Sequence, residues 1–222
     1  MKTISNEEIA TDVSKILLRL NAVTFNLKKP YRFASGILSP MYTDNRLIIS
    51  YPKEWQKIIG YLGKMVRKEI GLKNISVLSG TATAGIPHCA ALAIALNKPM
   101  IYVRSSKKEY GKENLIEGTF KKNATVLIVE DLISTGKSSA QNIRAVKELG
   151  GKVEYCIAIT TSTKNAYEET FNTMQVKLHT LTNAFTTVAV AVKKKIITTK
   201  EQQMILDFFE DSRGWGKRMG FE

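Results

Sequence analysis

Short apolar runs alternate with stretches of helical periodicity through the middle of the chain, and this alternation restricts the possible folds more than any other feature. Strands are predicted at residues 75–79, 100–103, 124–130, 153–160 and 176–181. Helices are predicted between them at residues 87–96, 138–149 and 165–171. Strands at this spacing, separated by helices, indicate an α/β fold with a parallel sheet. Because such sheets bind ligands at the carboxyl ends of their strands, the loops that follow the strands are the candidate sites.

The flanking segments indicate helices and a small β-rich cap. Ser5 and Glu8 have the spacing of a capping box, which predicts an amphipathic helix at the start of the chain. Further helices are predicted at residues 52–70 and 198–209, and a basic tail containing Gly and Trp follows the second. Short β-like pieces at residues 22–25, 31–33 and 40–42 surround the Ser35-Gly36 turn. We predict a single domain over residues 1–222, in which residues 1–50 contribute the amino-terminal helix and the cap.

Composition restricts the class of partner. Lys and Arg outnumber Asp and Glu by 33 to 20, a net charge of +13, which favours nucleic acid, a membrane surface or a phosphorylated small molecule. The longest apolar run, 89–96, is far shorter than the roughly 20 residues that span a bilayer, so we predict a cytoplasmic protein. Two cysteines in apolar segments are expected to be reduced core thiols, and His88 and His179 are too few for a zinc cluster.

The sharpest local feature is ATVLIVEDLISTGKSSA, residues 124–140. An apolar strand leads to Glu130 and Asp131, and small hydroxyl residues with Gly136 then lead into a helix. Backbone N–H groups at a helix start bind phosphate, whereas two carboxylates suit ribose hydroxyls with Mg²⁺ nearby. The pattern predicts a sugar phosphate ligand. A Walker A loop is excluded because Asp131 stands where that motif needs glycine. The alternative is an ordinary turn whose hydroxyls only cap the helix.

Three other segments have both a ligand-binding and a structural interpretation. Residues 81–85, TATAG, could surround a diphosphate with N–H groups or could simply be a tight connection. Residues 104–118 combine Arg and Lys with Gly and could close over a polyanion, or could be a solvated loop. Residues 35–40, SGILSP, could present backbone groups to a planar base or form a structural turn. His88 is expected to be a packing or capping residue.

Residues 124–140 resemble the 5-phosphoribosyl 1-pyrophosphate (PRPP) signature of type I phosphoribosyltransferases. SGTATAGIPH, residues 79–88, resembles the pyrophosphate loop of that family. RSSKKEYGKENLIEG, residues 104–118, resembles the mobile catalytic loop of its orotate-specific members, and FASGILSPMYTDNR, residues 33–46, resembles their substrate hood. The four segments occur in the family's order, and the resemblance extends from about residue 27 to residue 160. The resemblance implies a parallel sheet of about five strands, flanked by helices, with a small amino-terminal hood.

The resemblance also implies an activity. Members of the orotate branch transfer ribose 5-phosphate from PRPP to N1 of orotate, which gives orotidine 5′-monophosphate and pyrophosphate in the biosynthesis of UMP. Mg²⁺ is the implied cofactor, held chiefly by substrate oxygens with no direct protein ligand. A homodimer is implied, because the mobile loop of such enzymes reaches into the neighbouring subunit's site.

The resemblance assigns roles to individual residues. The catalytic residues implied are Lys108, Glu130 and Asp131. The PRPP-binding residues implied are Thr81, Ala82, Thr83, Arg104, Lys108, Tyr110, Glu130, Asp131, Leu132, Ile133, Ser134, Thr135, Gly136, Lys137 and Ser138. The orotate-binding residues implied are Ser35, Tyr42 and Ser134.

The chain departs from the family at several of these segments. Tyr110 replaces a common histidine, Lys137 replaces a small residue, and Ala34 and Ala84 replace lysines found in some members. No arginine follows the strand that ends at Thr160, although many members have one there that contacts orotate.

Two alternative functions fit the same segments. The first is a phosphoribosyltransferase for another base, a purine or uracil. The second is a PRPP-sensing regulator that binds nucleic acid, which the +13 charge favours. Scattered lysines and the lack of a recognisable nucleic-acid-binding motif argue against the regulator, so we expect no nucleic-acid partner.

Overall fold

The computed structural model describes residues 5–33, 35–104, 115–162 and 167–221. The chain forms two compact units. The first, the terminal unit, contains Met1–Ile48 and Thr182–Glu222, and the second, the sheet unit, contains Ile49–Leu181. The prediction of a single domain with its hood in residues 1–50 stays a prediction.

A six-stranded sheet with order β10-β9-β8-β5-β6-β7 forms the centre of the sheet unit. Its strands are β5 (Val77–Thr81), β6 (Met100–Val103), β7 (Ile116–Glu117), β8 (Thr125–Ile133), β9 (Lys152–Thr161) and β10 (Lys177–Asn183). The pairs β9–β8, β8–β5 and β5–β6 are parallel, and β7 is antiparallel to β6 at one edge. The predicted α/β class with a mostly parallel sheet is confirmed, with six strands instead of about five.

Four α-helices belong to the sheet unit: α2 (Pro52–Met65), α3 (Gly85–Leu96), α4 (Lys137–Glu148) and α5 (Glu168–Met174). The segment predicted as one helix over residues 52–70 changes to π-helical geometry at Val66–Ile70 and ends at Gly71, whose φ is +85°. Burial explains the apolar character of the central strand, since β8 is buried without interruption from Val126 to Asp131.

Two predicted boundaries at the edge of the sheet were wrong. Strand β8 does not end at Glu130, because Leu132 and Ile133 continue to pair with β9. The segment 104–118 is also not loop throughout, since Ile116 is buried and pairs with Val103 of β6. Both differences arise because these residues pair with a neighbouring strand. Such pairing joins residues that are distant in the chain, so a local sequence pattern does not indicate it.

The terminal unit combines both ends of the chain. Its strands are β1 (Val23–Phe25), β2 (Tyr31–Arg32), β3 (Leu38–Ser39) and β4 (Met41–Thr43), and its helices are α1 (Asn6–Arg19), α6 (Ala184–Lys193), α7 (Thr199–Glu210) and α8 (Trp215–Arg218). β1 pairs with β4 and β2 with β3, both antiparallel. The β piece predicted at residues 40–42 is confirmed with its bounds shifted by one residue, because β4 covers Met41–Thr43 and Pro40, which cannot donate to a ladder, lies between β3 and β4.

Helix α1 begins at the predicted capping box, in which Ser5 and Glu8 bond each other's backbone. It packs on α6, a helix that the sequence analysis did not predict. Between them, the buried hydroxyl of Ser14 lies 2.8 Å from that of Thr182 and 3.1 Å from that of Thr187. The polar residues on this apolar interface are therefore paired with each other.

The carboxyl-terminal tail is a structural part of the terminal unit. Trp215 is fully buried, stacks on Phe221 with ring centroids 5.6 Å apart, and donates its indole N–H to the carbonyl of Met204 at 2.8 Å. It shares a core cluster with Phe208 and with Leu38 of the hood strand β3. This cluster therefore supports the hood from within the same unit.

Both cysteines, Cys89 and Cys156, are free and buried, as predicted. Within the described residues, no helix combines the length and the apolar character that a membrane crossing requires.

Candidate active site

The loops predicted to bind a sugar phosphate lie at one edge of the sheet. β5 and β8 are parallel neighbours with Gly80 opposite Val129, so the loop after Thr81 and the loop after Ile133 both leave the carboxyl edge. The structure thereby brings together the diphosphate candidates of residues 81–85 and the phosphate candidates of residues 134–138.

Glu130 is the most deeply buried carboxylate of this edge. Its Oε1 accepts the backbone N–H of Asp131 at 3.2 Å. Its Oε2 accepts the hydroxyls of Ser138 at 3.1 Å and Ser139 at 3.3 Å. Burial raises the pKa of Glu130 well above its ordinary value, and the neighbouring Asp131 carboxylate raises it further. Glu130 therefore holds its proton more tightly than a solvated carboxyl group does.

The start of α4 has the features of a phosphate cradle. Gly136 occupies its N-cap position with φ +75°, and no side chain caps the helix. The hydroxyl of Ser162 bonds the carbonyl of Ser134 at 2.9 Å, and that of Thr170 bonds the carbonyl of Thr135 at 3.2 Å. The alternative that hydroxyls only cap this helix is wrong. The N–H groups of its first turn have no intrahelical partners and are available to an anion.

Side chains in the phosphate loop are distributed unequally. Ser134, Thr135, Lys137 and Ser138 are exposed, Leu132 is half-buried, and Ile133 is packed in the core of the sheet unit. Lys137 therefore extends from the surface of the loop. Ile133 has only its backbone to offer a ligand.

The small-residue loop after β5 is shaped by glycine. The Ala82–Thr83 peptide is cis, and the Ala82 N–H donates to the carbonyl of Val103 at 3.2 Å. A Cβ built on Gly85 would lie 2.6 Å from the carbonyl oxygen of Val129 and 3.2 Å from Oε1 of Glu130. Glycine at position 85 therefore lets α3 begin directly against β8, beside the buried acid.

Arg104 lies at the base of the segment resembling the mobile loop. Its backbone N–H donates to the carbonyl of Leu115 at 2.9 Å, and its Nη1 lies 3.8 Å from Oε1 of Glu117. The distance is too long for a hydrogen bond, so the pair is a weak ionic contact. Lys108 and Tyr110 lie outside the described residues.

The residues predicted to contact orotate are divided between the units. Ser134 belongs to the sheet unit, whereas Ser35 and Tyr42 belong to the terminal unit. Within that unit, Ser35 is exposed, and the half-exposed Tyr42 ring lies 5.5 Å from Tyr31 and 6.4 Å from Phe33 between ring centroids. The hood thus presents an aromatic cluster beside its Ser-Gly turn.

Several polar residues of the site were not identified by the sequence analysis. Ser139 contacts Glu130, Ser162 and Thr170 hold the phosphate-loop carbonyls, and Asn142 bonds two residues of β5. For Asn142 a signal existed, because an amide on the apolar face of a helix between Ala140 and Ile143 needs a buried partner. No local pattern marks Ser162 or Thr170, which reach the loop only through folding.

His88 has the packing role that the sequence analysis expected. It is fully buried on α3, and its Nδ1 accepts the indole N–H of Trp55 at 3.0 Å. Its Nε2 is buried with no hydrogen-bond partner among the described residues. Burial lowers the pKa of His88 to about 4 from the ordinary 6.5, so the folded protein holds a neutral imidazole.

The folded protein should therefore lose stability as the pH falls from 6.5 towards 4. His88 binds its proton more weakly when folded than when unfolded, so its neutral form stabilises the fold fully only above pH 6.5. About 2 kcal/mol of the free energy of unfolding should be lost between pH 6.5 and 5 on account of this group. We expect His88→Asn, whose amide oxygen can accept from Trp55 without titrating, to be less stable at pH 8 and less sensitive to acid. Urea titrations at several pH values measure this, and parallel pH curves for the two proteins would contradict it.

Comparison with known proteins gives consistent matches. The family described as phosphoribosyl transferase domain matches residues 48–193. The orotate phosphoribosyltransferase of Coxiella burnetii is 44% identical over 206 residues, which are 93% of this chain and 98% of that protein. That of Listeria innocua is 39% identical over 209 residues, covering 94% and 99%. The crystal structure of orotate phosphoribosyltransferase from Aeropyrum pernix has a TM-score of 0.68 and 25% identity, covering 83% of this chain and 99% of that one.

Proposed function

The chain belongs to the phosphoribosyl transferase domain family, and we infer that it is an orotate phosphoribosyltransferase of pyrimidine biosynthesis. It transfers ribose 5-phosphate from PRPP to orotate and releases pyrophosphate. The structural observation that carries this inference is the uncapped start of α4 beside the buried Glu130–Asp131 pair, which suits a phosphorylated pentose. Sequence identities of 44% and 39% with relatives of that name, over nearly the full length of the chains, support orotate as the acceptor.

The reaction poses a problem of charge. As the bond between the anomeric carbon and pyrophosphate breaks, the ribose becomes cationic and the leaving group gains negative charge. We propose that N–H groups of residues 134–138 fix the 5-phosphate, while Asp131 and Glu130 bind the ribose hydroxyls near the positive centre. Residues 81–83 and Arg104 bind the pyrophosphate. No protein nucleophile is required.

Mg²⁺ is the proposed cofactor. Among the described residues, no three His, Cys, Asp or Glu side chains converge on a metal position. The two carboxylates and several hydroxyls of this edge still suit a hard cation that takes most of its ligands from substrate oxygens and water. When bound, the ion would neutralise charge on the departing pyrophosphate.

A steady-state assay tests the function directly. Pyrophosphate should be released from PRPP only when both orotate and Mg²⁺ are present. Faster turnover with hypoxanthine, adenine or uracil would favour the alternative base specificity. A steep salt dependence of binding to a preferred nucleic-acid sequence would favour the regulator.

Lys108→Ala should reduce kcat by about 10²-fold or more while changing the KM for PRPP much less. The reason is that the resemblance places this ammonium against the leaving group, where charge develops mainly in the transition state. Steady-state kinetics with varied PRPP measure both constants. Lys112→Ala in the same segment is the control, and an unchanged rate in Lys108→Ala would remove Lys108 from catalysis.

We propose that the active unit is a homodimer. Helix α3 carries no charged residue over Gly85–Leu96, and its Ile94 is 85% exposed. A helix that is apolar on its outer face is typical of a buried element, and a second copy of this chain is the proposed occupant because the mobile-loop resemblance implies catalysis across subunits. The cytoplasmic location also stays a prediction.

Ile94→Lys should shift the protein from dimer to monomer, because a desolvated ammonium at the centre of an apolar interface is costly. Sedimentation at micromolar concentration measures the change. Leu149→Lys is the matched control, since Leu149 is an apolar residue, 56% exposed, at the end of a different helix, α4. An Ile94→Lys protein that sediments like the unmodified chain would contradict the proposed interface.

A further inference from the structure

Asn142 is a buried polar residue that no motif of the site includes. It lies on α4, is 1% exposed, and faces the sheet beside core residues such as Ile143 and Val146. A buried carboxamide destabilises a fold unless its hydrogen-bonding groups are satisfied. Its partners therefore indicate its role.

The Asn142 carboxamide bonds two residues of β5 at once. Its Oδ1 accepts the hydroxyl of Ser79 at 2.8 Å, and its Nδ2 donates to the hydroxyl oxygen of Thr81 at 2.9 Å. Ser79 and Thr81 are two residues apart, so their side chains lie on the same face of the strand. One acceptor and one donor side by side are what a carboxamide supplies and what a carboxylate or an apolar side chain cannot.

The direction of the second bond determines what Thr81 can offer a ligand. A hydroxyl has one hydrogen and two lone pairs. Because Thr81 Oγ1 accepts from Asn142, its own hydrogen remains for a different acceptor. Thr81 ends β5 at the beginning of the loop 82–84, where the acceptors of a diphosphate are proposed to lie.

Asn142 also connects the two proposed anion sites mechanically. The first turn of α4 is the phosphate cradle, and Ser138 and Ser139 of this helix bond Glu130. Asn142 is four residues beyond Ser138, on the same face of the helix, and it anchors this face to β5. One side chain thus links the helix that begins with the phosphate cradle to the end of β5.

We propose that Asn142 is a positioning residue, which orients the Thr81 hydroxyl as a donor to pyrophosphate and couples the pyrophosphate loop to the 5-phosphate cradle. The inference rests on the proposed function, since it assumes that PRPP spans these two loops. It predicts that substitutions at position 142 change the affinities for pyrophosphate and for ribose 5-phosphate, the two ends of PRPP, by different factors.

Asn142→Asp is the informative variant. Its carboxylate still accepts the Ser79 hydroxyl, but its second oxygen also accepts, so it takes the Thr81 hydrogen away from the ligand. Asn142→Leu removes both bonds and leaves the Thr81 hydroxyl unoriented. Ile143→Val is the matched control, because it changes only packing at a buried position of the same helix.

Calorimetric titration with inorganic pyrophosphate and with ribose 5-phosphate, each with Mg²⁺, tests the proposal. We expect Asn142→Asp to lower the affinity for pyrophosphate about 10- to 100-fold and the affinity for ribose 5-phosphate less than 3-fold. Asn142→Leu should lose less affinity for pyrophosphate than Asn142→Asp does. Thr81→Val should weaken pyrophosphate similarly, and combining it with Asn142→Asp should add little. If Asn142→Asp does not fold, Asn142→Leu serves as the test, because its loss of affinity for pyrophosphate should also exceed its loss of affinity for ribose 5-phosphate.

The proposed role of Asn142 would be overturned if Asn142→Asp lowered the affinity for both ligands equally or for neither. It would also be overturned if the effects of Asn142→Asp and Thr81→Val on the affinity for pyrophosphate multiplied. Failure of the unmodified protein to bind either probe would instead contradict the proposed function. The Ile143→Val protein should bind both probes as the unmodified chain does, and a selective pyrophosphate loss in it would show that packing alone explains the effect.

Discussion

Replacing Asp131 with asparagine is expected to lower kcat/KM for PRPP by about 10²- to 10³-fold, with losses in both constants. Asp131 is 9% exposed within β8, so its charge lies where water screens it poorly. Asparagine keeps the shape of the side chain and one acceptor oxygen, but its NH2 group donates where the second carboxylate oxygen accepts, and the negative charge that faces a cationic ribose is lost. The change therefore removes the charge together with one acceptor for a ribose hydroxyl.

Substitution of the neighbouring Glu130 is expected to lower kcat/KM less than substitution of Asp131 does. Burial and the adjacent carboxylate raise the pKa of Glu130, so the folded protein stabilises the neutral form of this side chain relative to a solvated carboxyl group. Glutamine resembles that neutral form and can still accept the hydroxyls of Ser138 and Ser139. We expect Glu130→Gln to cost about 10-fold or less in kcat/KM.

Steady-state kinetics of the two variants, with melting temperatures to verify folding, measure this asymmetry. Equal effects of the two amides would show that both acids carry charge in the reacting complex. An Asp131→Asn protein with unchanged kcat/KM would remove Asp131 from the reaction.

The second large effect is expected from Gly85→Ala. The new methyl group would lie 2.6 Å from the carbonyl oxygen of Val129 and 3.2 Å from Cα of Glu130. Both are contacts with the backbone of a central strand, which cannot rotate away. Helix α3 must therefore move off β8, which should cost about 1–3 kcal/mol of stability. The loop 81–84 precedes α3 directly and would move with it, and we expect kcat/KM to fall about 10²-fold.

Gly60→Ala is the matched control for this substitution. A Cβ on Gly60 meets nothing within 4 Å, and the residue lies inside α2. The same change there should raise the free energy of unfolding by about 0.5–1 kcal/mol and leave turnover unchanged. Denaturant unfolding and kinetics on both proteins test the pair, and a Gly85→Ala protein as stable and active as the unmodified chain would refute the close approach.

Much of the fold could be predicted because its signals are local. The apolar run of β8, the capping box of α1 and the glycine that ends the helical segment at position 71 each report a backbone preference of their own residues. Helix α6 was missed because its segment, AFTTVAVAVK, is rich in β-branched residues and mostly apolar, so its periodicity is weak.

The chemistry of the candidate site could also be predicted in outline. Two acids beside a run of small hydroxyl residues and glycine indicate a sugar phosphate by composition and spacing alone, and the order of four segments indicates the family. The sequence by itself therefore determined the class of fold and the class of ligand, since both depend on residues adjacent in the chain.

Tertiary structure alone decided how those residues are held. Ser162 and Thr170 reach the carbonyls of the phosphate loop from other elements, Asn142 joins α4 to β5, and Gly85 is required by a strand more than 40 residues away. The physical reason is that hydrogen bonds and steric contacts act across short distances in space, whatever the separation along the chain. Only when β5, β8 and α4 are packed together does it become defined which donors remain free for a ligand.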